Sequence, residues 1–128
     1  MKKREAEFGR EFRAWIKANP MPTSAYELKQ TTAPLPFDAV KEHQINALLA
    51  CRDKDRGLLY KIADDSAGFK PFDFFYMNQV FSWVVIKYQK KGFVIISIDN
   101  FLMEKERSKR KSLTWSKAKS IATIEYEY

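Results

Sequence analysis

The chain has 128 residues and a mass of 15.1 kDa, and 45% of its residues are hydrophobic while only 4 are Gly and 5 are Pro. This size fits one domain with its own core, and the composition excludes a disordered or low-complexity chain. The 23 Lys and Arg residues outnumber the 16 Asp and Glu residues, and the net charge of +7 favours a polyanionic partner. A single cysteine, Cys51, and a single histidine, His43, exclude an intrachain disulfide and a structural zinc site.

The first half of the chain predicts two helices and two strands. Apolar residues at helical spacing predict a helix over residues 4–18, and alternating apolar and charged residues predict a strand over 24–30. After a proline-containing connector, Asp38 is placed to cap a second helix that extends to about residue 53. The near-continuous apolar run at 57–62 is typical of a strand in the middle of an α/β sheet.

The second half is richer in strands. The predicted elements, in order, are a hairpin of residues 72–77 and 81–88 that turns at 78–79, a strand over 93–98, a short helix from Asp99 to residue 103, a helix over 115–120 opened by Thr114, and an edge strand within 121–128. Together with the first half, this order predicts an α/β fold in which helices flank a mixed central sheet.

No linker or repeat divides the sequence. We therefore predict one domain over 1–128, with an inserted β-hairpin at 63–90 and a basic C-terminal segment at 104–128. The N-terminus is charged and lacks an apolar signal region, and the longest apolar runs are the length of strands. These features predict a cytoplasmic protein without a membrane partner.

The sharpest local motif is Glu27-Leu28-Lys29. Positions i and i+2 of a strand share a face, so the Glu27 carboxylate and the Lys29 ammonium are expected to point into the same space. Mg²⁺ prefers carboxylate oxygens, and a neighbouring lysine can hold a metal-bound water or neutralise charge on a phosphate. Glu-x-Lys is also common on solvated strand faces, where it has no catalytic role.

The context of this motif resembles a known family. Lys29-Gln30-Thr31, Pro34-Leu35-Pro36-Phe37 and the helix with His43-Gln44-Ile45 resemble the segment after the Glu-x-Lys strand in RecU-type and archaeal Holliday junction resolvases. Both groups belong to the PD-(D/E)xK nuclease superfamily. Arg110-Lys111-Ser112-Leu113 and Phe8-Gly9-Arg10-Glu11-Phe12 are similar to two further elements of these nucleases, and the matches occur in the family's order.

The resemblance implies a restriction-endonuclease-like domain and a role for each matched residue. Glu27 would be a metal ligand and Lys29 the catalytic lysine. Gln44 would be the glutamine that reaches back from the following helix, and Glu11, or less closely Glu7, the carboxylate of the first helix. Glu11 could instead pair with a neighbouring cation, and Gln44 could merely cap its helix.

One family residue is absent from its usual place. The family carries an aspartate on a strand before the Glu-x-Lys strand, and no aspartate lies between the first helix and Glu27. Asp73, at the start of the predicted hairpin, resembles a displaced copy of that ligand. We expect the hairpin to pack beside the Glu27 strand so that Asp73 completes the metal site; Asp73 could also simply pair with Lys87.

Two basic clusters predict contact with phosphates. They lie in the first helix and around residues 105–119. The residues expected to contact DNA are Lys70, Lys87, Lys109, Arg110, Lys111, Arg10 and Arg13. A solvated, solubility-promoting surface is the alternative interpretation of this charge.

The sequence therefore leads to a specific hypothesis, that of a Mg²⁺-dependent Holliday junction resolvase, with Mn²⁺ able to substitute. It would hydrolyse phosphodiester bonds of a four-way junction as a homodimer, because symmetric cutting needs two active sites. The compact chain suits a phage-encoded enzyme. The alternatives are a nuclease that acts on flapped or nicked duplex DNA, and a DNA-binding protein whose nuclease fold has lost activity.

Overall fold

A computed structural model describes residues 2–53, 57–61, 74–77 and 79–128. Within them lie four α-helices and eight strands. The helices are α1 (Lys2–Ala18), α2 (Glu42–Arg52), α3 (Ile98–Arg107) and α4 (Trp115–Ile121). The strands are β1 (Ser24–Thr31), β2 (Leu35–Pro36), β3 (Leu58–Lys61), β4 (Phe74–Met77), β5 (Phe81–Tyr88), β6 (Gly92–Ser97), β7 (Ser112–Leu113) and β8 (Ile124–Glu127).

The main sheet is mixed and has the strand order β1-β5-β6-β8. Strand β1 runs parallel to β5, with Ser24 opposite Phe81 and Thr31 opposite Tyr88, whereas β5–β6 and β6–β8 are antiparallel. A parallel pair needs a long crossover, and α2 lies in the connection between β1 and β5. Strands β2 and β7 form a separate antiparallel pair, as do β3 and β4.

The central strands are apolar on both faces because helices cover both. One face carries Trp83 and Val85 of β5 and packs against Phe8 and Phe12 of α1; we call it the α1 face. The alternate residues of β5, such as Val84 and Ile86, face the opposite way and pack against α2, α3 and α4; we call this the α2 face. This arrangement confirms a mixed α/β fold with helices on a mixed sheet.

Two predictions about strands are wrong, one about a pairing partner and one about a position in the sheet. Strand β4 pairs with β3, so Phe74–Met77 does not pair with Phe81–Tyr88 as the predicted hairpin requires; residues 72 and 73 of that hairpin lie outside the described residues. Within the apolar run at 57–62, Leu58–Lys61 forms β3 of that small sheet and is not a central strand, because the centre of the main sheet is occupied by β5 and β6. Strand β5 does lie beside β1, as expected of the 81–88 segment.

Two helix starts also differ from prediction. Asp38 lies in a short 3₁₀ turn (Phe37–Ala39), and α2 begins only at Glu42. Helix α3 is capped by Ser97, whose Oγ accepts the N–H of Asn100 at 3.1 Å, and it continues to Arg107. Thr114 caps α4 as predicted, because its Oγ1 accepts the N–H of Lys117 at 3.1 Å. No helix among the described residues is long and apolar enough to cross a bilayer.

Candidate functional site

Glu27 and Lys29 lie together on β1. The Lys29 Nζ is 3.7 Å from Glu27 Oε2, and the two side chains are 20% and 26% exposed, respectively. Their shared direction follows from the two-residue repeat of a strand. In the register with β5, Glu27 is opposite Val84 and Lys29 is opposite Ile86, so both project on the α2 face. The predicted juxtaposition of a carboxylate and an ammonium is confirmed.

Helix α2 covers the strand beside this pair. Its Ile45 and Leu48 pack in the core of the α2 face, and the carbonyl of Leu48 accepts the Ser82 hydroxyl at 2.6 Å. Apolar packing and this buried hydrogen bond hold α2 over β5. Glu27 and Lys29 therefore extend from a strand whose neighbour and covering helix are both anchored.

Gln44 lies in the first turn of α2 and serves as part of its cap. Its Oε1 accepts the main-chain N–H of Lys41 at 2.8 Å. This satisfies one of the amide groups that a helix leaves unpaired at its start. In the structure, Gln44 thus caps its helix, which is the alternative to a role at the predicted metal site.

Glu11 is on the other side of the sheet from Glu27. Its carboxylate accepts the Lys87 ammonium at 2.8 Å and the Tyr128 hydroxyl at 2.5 Å. Lys87 follows Val85 on the α1 face of β5 and lies 5.7 Å from the centre of the Phe8 ring. The structure does not bring Glu11 to Glu27, because α1 packs on the face opposite to α2, and Lys87 is engaged with a carboxylate.

Two predicted site residues, Asp73 and Lys70, lie outside the described residues. Within the described ranges, no three His, Cys, Asp or Glu side chains form a group that could hold a metal ion. Glu27 is therefore the only one of the three predicted metal ligands that the described part of the chain places beside Lys29.

The two basic clusters lie on different sides of the sheet. Lys109, Arg110 and Lys111 are exposed between α3 and β7, and both α3 and α4 pack on the α2 face, the face of Glu27 and Lys29. Arg10 and Arg13 are exposed on α1, which covers the opposite face. Only the C-terminal cluster shares a side of the sheet with the Glu27–Lys29 pair.

The basic C-terminal segment also forms a hollow of about 520 Å³ that residue-by-residue analysis did not predict. Its lining combines Lys109, Arg110 and Lys117 with several hydroxyl side chains and with Glu104, which is buried and lies 3.8 Å from Lys117 Nζ. The signal in the sequence is the concentration of Ser, Thr, Lys and Arg between residues 108 and 120.

Cys51 has no exposed thiol to act as a nucleophile. It is buried in α2, and burial raises the pKa of its thiol. A thiol that stays protonated is a poor nucleophile and metal ligand. Cys51 is therefore not a candidate catalytic residue.

Comparison with known proteins finds no match: no family model, no curated protein and no solved structure is significantly similar to this chain.

Proposed function

We propose that this protein is a Mg²⁺-dependent endonuclease of the PD-(D/E)xK type that cuts branched DNA, with the four-way junction as its leading substrate. The observation that carries the proposal is the Glu27–Lys29 pair, half-buried on one face of β1 with its charged groups 3.7 Å apart. Strand β1 is parallel to its neighbour and covered by α2, which fits the restriction-endonuclease-like arrangement implied by the resemblance.

The donor set suits Mg²⁺ because this ion is commonly held by one or two carboxylates together with water and substrate phosphate. Glu27 would supply one carboxylate, and Asp73, as the displaced ligand, would supply the second. When bound, the ion would lower the pKa of a water and polarise the scissile phosphate. Lys29 would donate hydrogen bonds to a non-bridging phosphate oxygen and offset the negative charge that grows there during attack.

The distribution of charge supports DNA as the substrate. Exposed cations of the 109–111 segment occupy the same side of the sheet as Lys29, so one duplex arm could contact both. Phosphate contacts of this kind are independent of base sequence, as recognition of a junction requires. In this proposal the active form is a cytoplasmic homodimer, in which each subunit cuts one strand.

A second candidate is a DNA-binding protein that has lost nuclease activity. It is favoured by the position of Glu11, which is engaged with Lys87 and Tyr128 across the sheet from Glu27. This placement leaves one predicted carboxylate fewer at the metal site. A nuclease for flapped or nicked duplexes uses the same site and differs only in substrate.

The test is cleavage of a labelled four-way junction, a flap, a nicked duplex and a linear duplex, in Mg²⁺, Mn²⁺ or EDTA. We expect nicking that is confined to the junction and abolished by EDTA. Lys29→Met and Glu27→Gln should each lower the cleavage rate about 100-fold or more, because each removes a group that acts on developing charge. Asp73→Asn should do the same if Asp73 is the second ligand.

Matched substitutions at exposed sites provide the control. Lys91→Met in the turn after β5 and Glu125→Gln on β8 make the same chemical changes away from the pair, and cleavage should stay within about twofold. Tight junction binding without cleavage in either metal would support the inactive DNA-binding protein. Equal cutting of flaps or nicked duplexes would transfer the proposal to those substrates, and cleavage that survives Lys29→Met would overturn it.

A further inference from the structure

The hollow beside the basic segment is lined for an anion. Lys109, Arg110 and Lys117 contribute cations, and Ser112 and Ser116 contribute hydroxyl groups. Guanidinium, ammonium and hydroxyl groups all donate hydrogen bonds, and the tetrahedral oxygens of a phosphate accept them from several directions. The lining therefore matches a phosphate better than an apolar ligand.

This hollow is built into the fold, because the segment that forms it is fixed at several points. The carbonyl of Lys111 accepts the N–H of Phe37 at 3.0 Å, and Leu113 pairs with Leu35 in the small β2–β7 sheet. Within the segment, Ser108 Oγ accepts the N–H of Arg110 at 3.1 Å. These contacts fix the main chain that carries the cations, so less conformational freedom of the backbone is lost when an anion binds.

A buried carboxylate sets the charge of the hollow. Glu104 is only 8% exposed at its side chain, and its Oε1 lies 3.8 Å from Lys117 Nζ. Glu104 thereby offsets and orients one of the three cations, while Lys109 and Arg110 are exposed. Three positive groups against one negative group leave a net positive charge, which suits a phosphodiester.

We propose that this hollow binds one backbone phosphate of DNA, at a point separate from the bond that is cut. The inference rests on the proposed function for its ligand, since it takes the phosphate to belong to the DNA arm that passes over the α2 face. The hollow lies between α3 and α4 on that face and so anchors the arm without contributing to the chemistry at Lys29.

Phosphate binding can be measured without any cleavage. We would titrate ¹⁵N-labelled full-length protein with inorganic phosphate, with dimethyl phosphate as the phosphodiester, and with chloride at matched ionic strength. We expect saturable shifts of the amide signals of residues 108–117 with both phosphates and not with chloride. Uniform shifts that follow ionic strength alone would overturn the proposal, and shifts with inorganic phosphate alone would assign the hollow to a free phosphate instead of DNA.

Two variants test the contribution of the hollow to DNA binding. Lys109→Ala/Arg110→Ala should weaken binding to the four-way junction about tenfold or more at physiological salt. Because one phosphate contact is lost, the slope of log K against log[salt] should become shallower by about one unit. Ser116→Asp places a carboxylate in the hollow at a helix position that accepts acidic residues, so α4 should form while phosphate binding is lost.

The control is Lys90→Gly/Lys91→Ala, which removes two exposed cations from the turn between β5 and β6; glycine suits Lys90, whose φ is +66°. Junction binding by this control should stay within twofold of the unmodified chain. Equal losses in the control and in Lys109→Ala/Arg110→Ala would contradict a defined phosphate site. If phosphate titrates into the hollow of a protein that cuts no DNA, the nuclease proposal fails and the anion site stands.

Discussion

The ion pair between Glu11 and Lys87 shows how one side chain connects distant parts of the chain. Glu11 of α1 accepts hydrogen bonds from Lys87 of β5 and from Tyr128 at the end of the sequence. Lys87 is only 18% exposed and also lies over the Phe8 and Tyr128 rings. A cation in this position is poorly hydrated, so its carboxylate partner matters more than one at an open surface.

We predict that Glu11→Gln lowers the free energy of unfolding by about 1–2 kcal/mol, since it leaves the Lys87 ammonium without its charged partner. Urea unfolding of Glu11→Gln, Lys87→Met and the double variant would measure the coupling between the two groups. Glu7→Gln, an exposed position one turn earlier on α1, should change stability by less than about 0.5 kcal/mol. Additive single effects would contradict the coupling.

Glu27 and Lys29 illustrate what a local pattern determines. The two-residue period of a strand places both side chains on one face, whatever the strand pairs with, and this prediction is confirmed. The predicted placement of Glu11 beside Glu27 has no such basis in local geometry. Whether α1 lies over the same face as α2 depends on how the helix packs on the finished sheet, and helical spacing in α1 identifies only which side of the helix is buried.

At the scale of elements, most helices and strands follow from apolar spacing, and the pairing of strands does not. Apolar spacing predicts a strand over 81–88, and β5 has these bounds, but the predicted partner is the preceding strand. In the structure the neighbours of β5 are β1 and β6. Strand β4 pairs instead with β3, the strand that precedes it in the chain. Adjacent strands favour hairpins, but a strand that is apolar on both faces suits the interior of the main sheet.

The β6–β8 pair contains a position that only glycine can occupy. Gly92 has a φ of +146°, and a Cβ built there would lie 2.0 Å from the carbonyl oxygen of Tyr126. We predict that Gly92→Ala lowers the free energy of unfolding by about 2–4 kcal/mol and displaces β8 from β6. Urea unfolding gives the stability, and hydrogen exchange of the β8 amides reports the displacement.

Gly9 provides the matched control for this substitution. It lies within α1, and the nearest atom to an added Cβ is Arg13 Nη1 at 3.5 Å, an ordinary contact. Gly9→Ala should therefore raise the free energy of unfolding by about 0.5–1 kcal/mol, because alanine loses less conformational entropy in a helix. Replacing glycine by alanine is thus expected to raise the free energy of unfolding at Gly9 and to lower it at Gly92. A stabilised Gly92→Ala variant would show that β8 is not bound as described.

At the scale of the whole molecule, stability should fall in alkaline solution. Burial raises the pKa of Tyr88, which is 3% exposed and whose hydroxyl donates to the Leu113 carbonyl at 2.8 Å. Above about pH 10 a tyrosine in the unfolded chain loses its proton while Tyr88 in the folded protein keeps it. The unfolded state then binds fewer protons, so the stabilising contribution that is present below pH 10 decreases as the pH rises.

We predict that the free energy of unfolding decreases between pH 9 and 11 and that Tyr88→Phe reduces the slope by up to about 1.4 kcal/mol per pH unit. At neutral pH the variant should be about 1 kcal/mol less stable, because the Leu113 carbonyl loses its donor. Comparing the two proteins removes the common effect of lysine deprotonation. Parallel curves for both proteins would show that Tyr88 does not contribute to the alkaline loss.

The parallel pairing of β1 and β5 affects when this part of the sheet can fold during synthesis on the ribosome. Ser24 finds its partner, Phe81, more than fifty positions later in the chain, and nascent polypeptides emerge from the N-terminal end. Strand β1 therefore joins the sheet late, because the entropy of closing a long loop is lost before the contacts between β1 and β5 can form. Synthesis thus keeps Glu27 and Lys29 apart from a finished sheet until most of the polypeptide exists, and a prematurely terminated chain would lack the neighbouring strand that positions this pair.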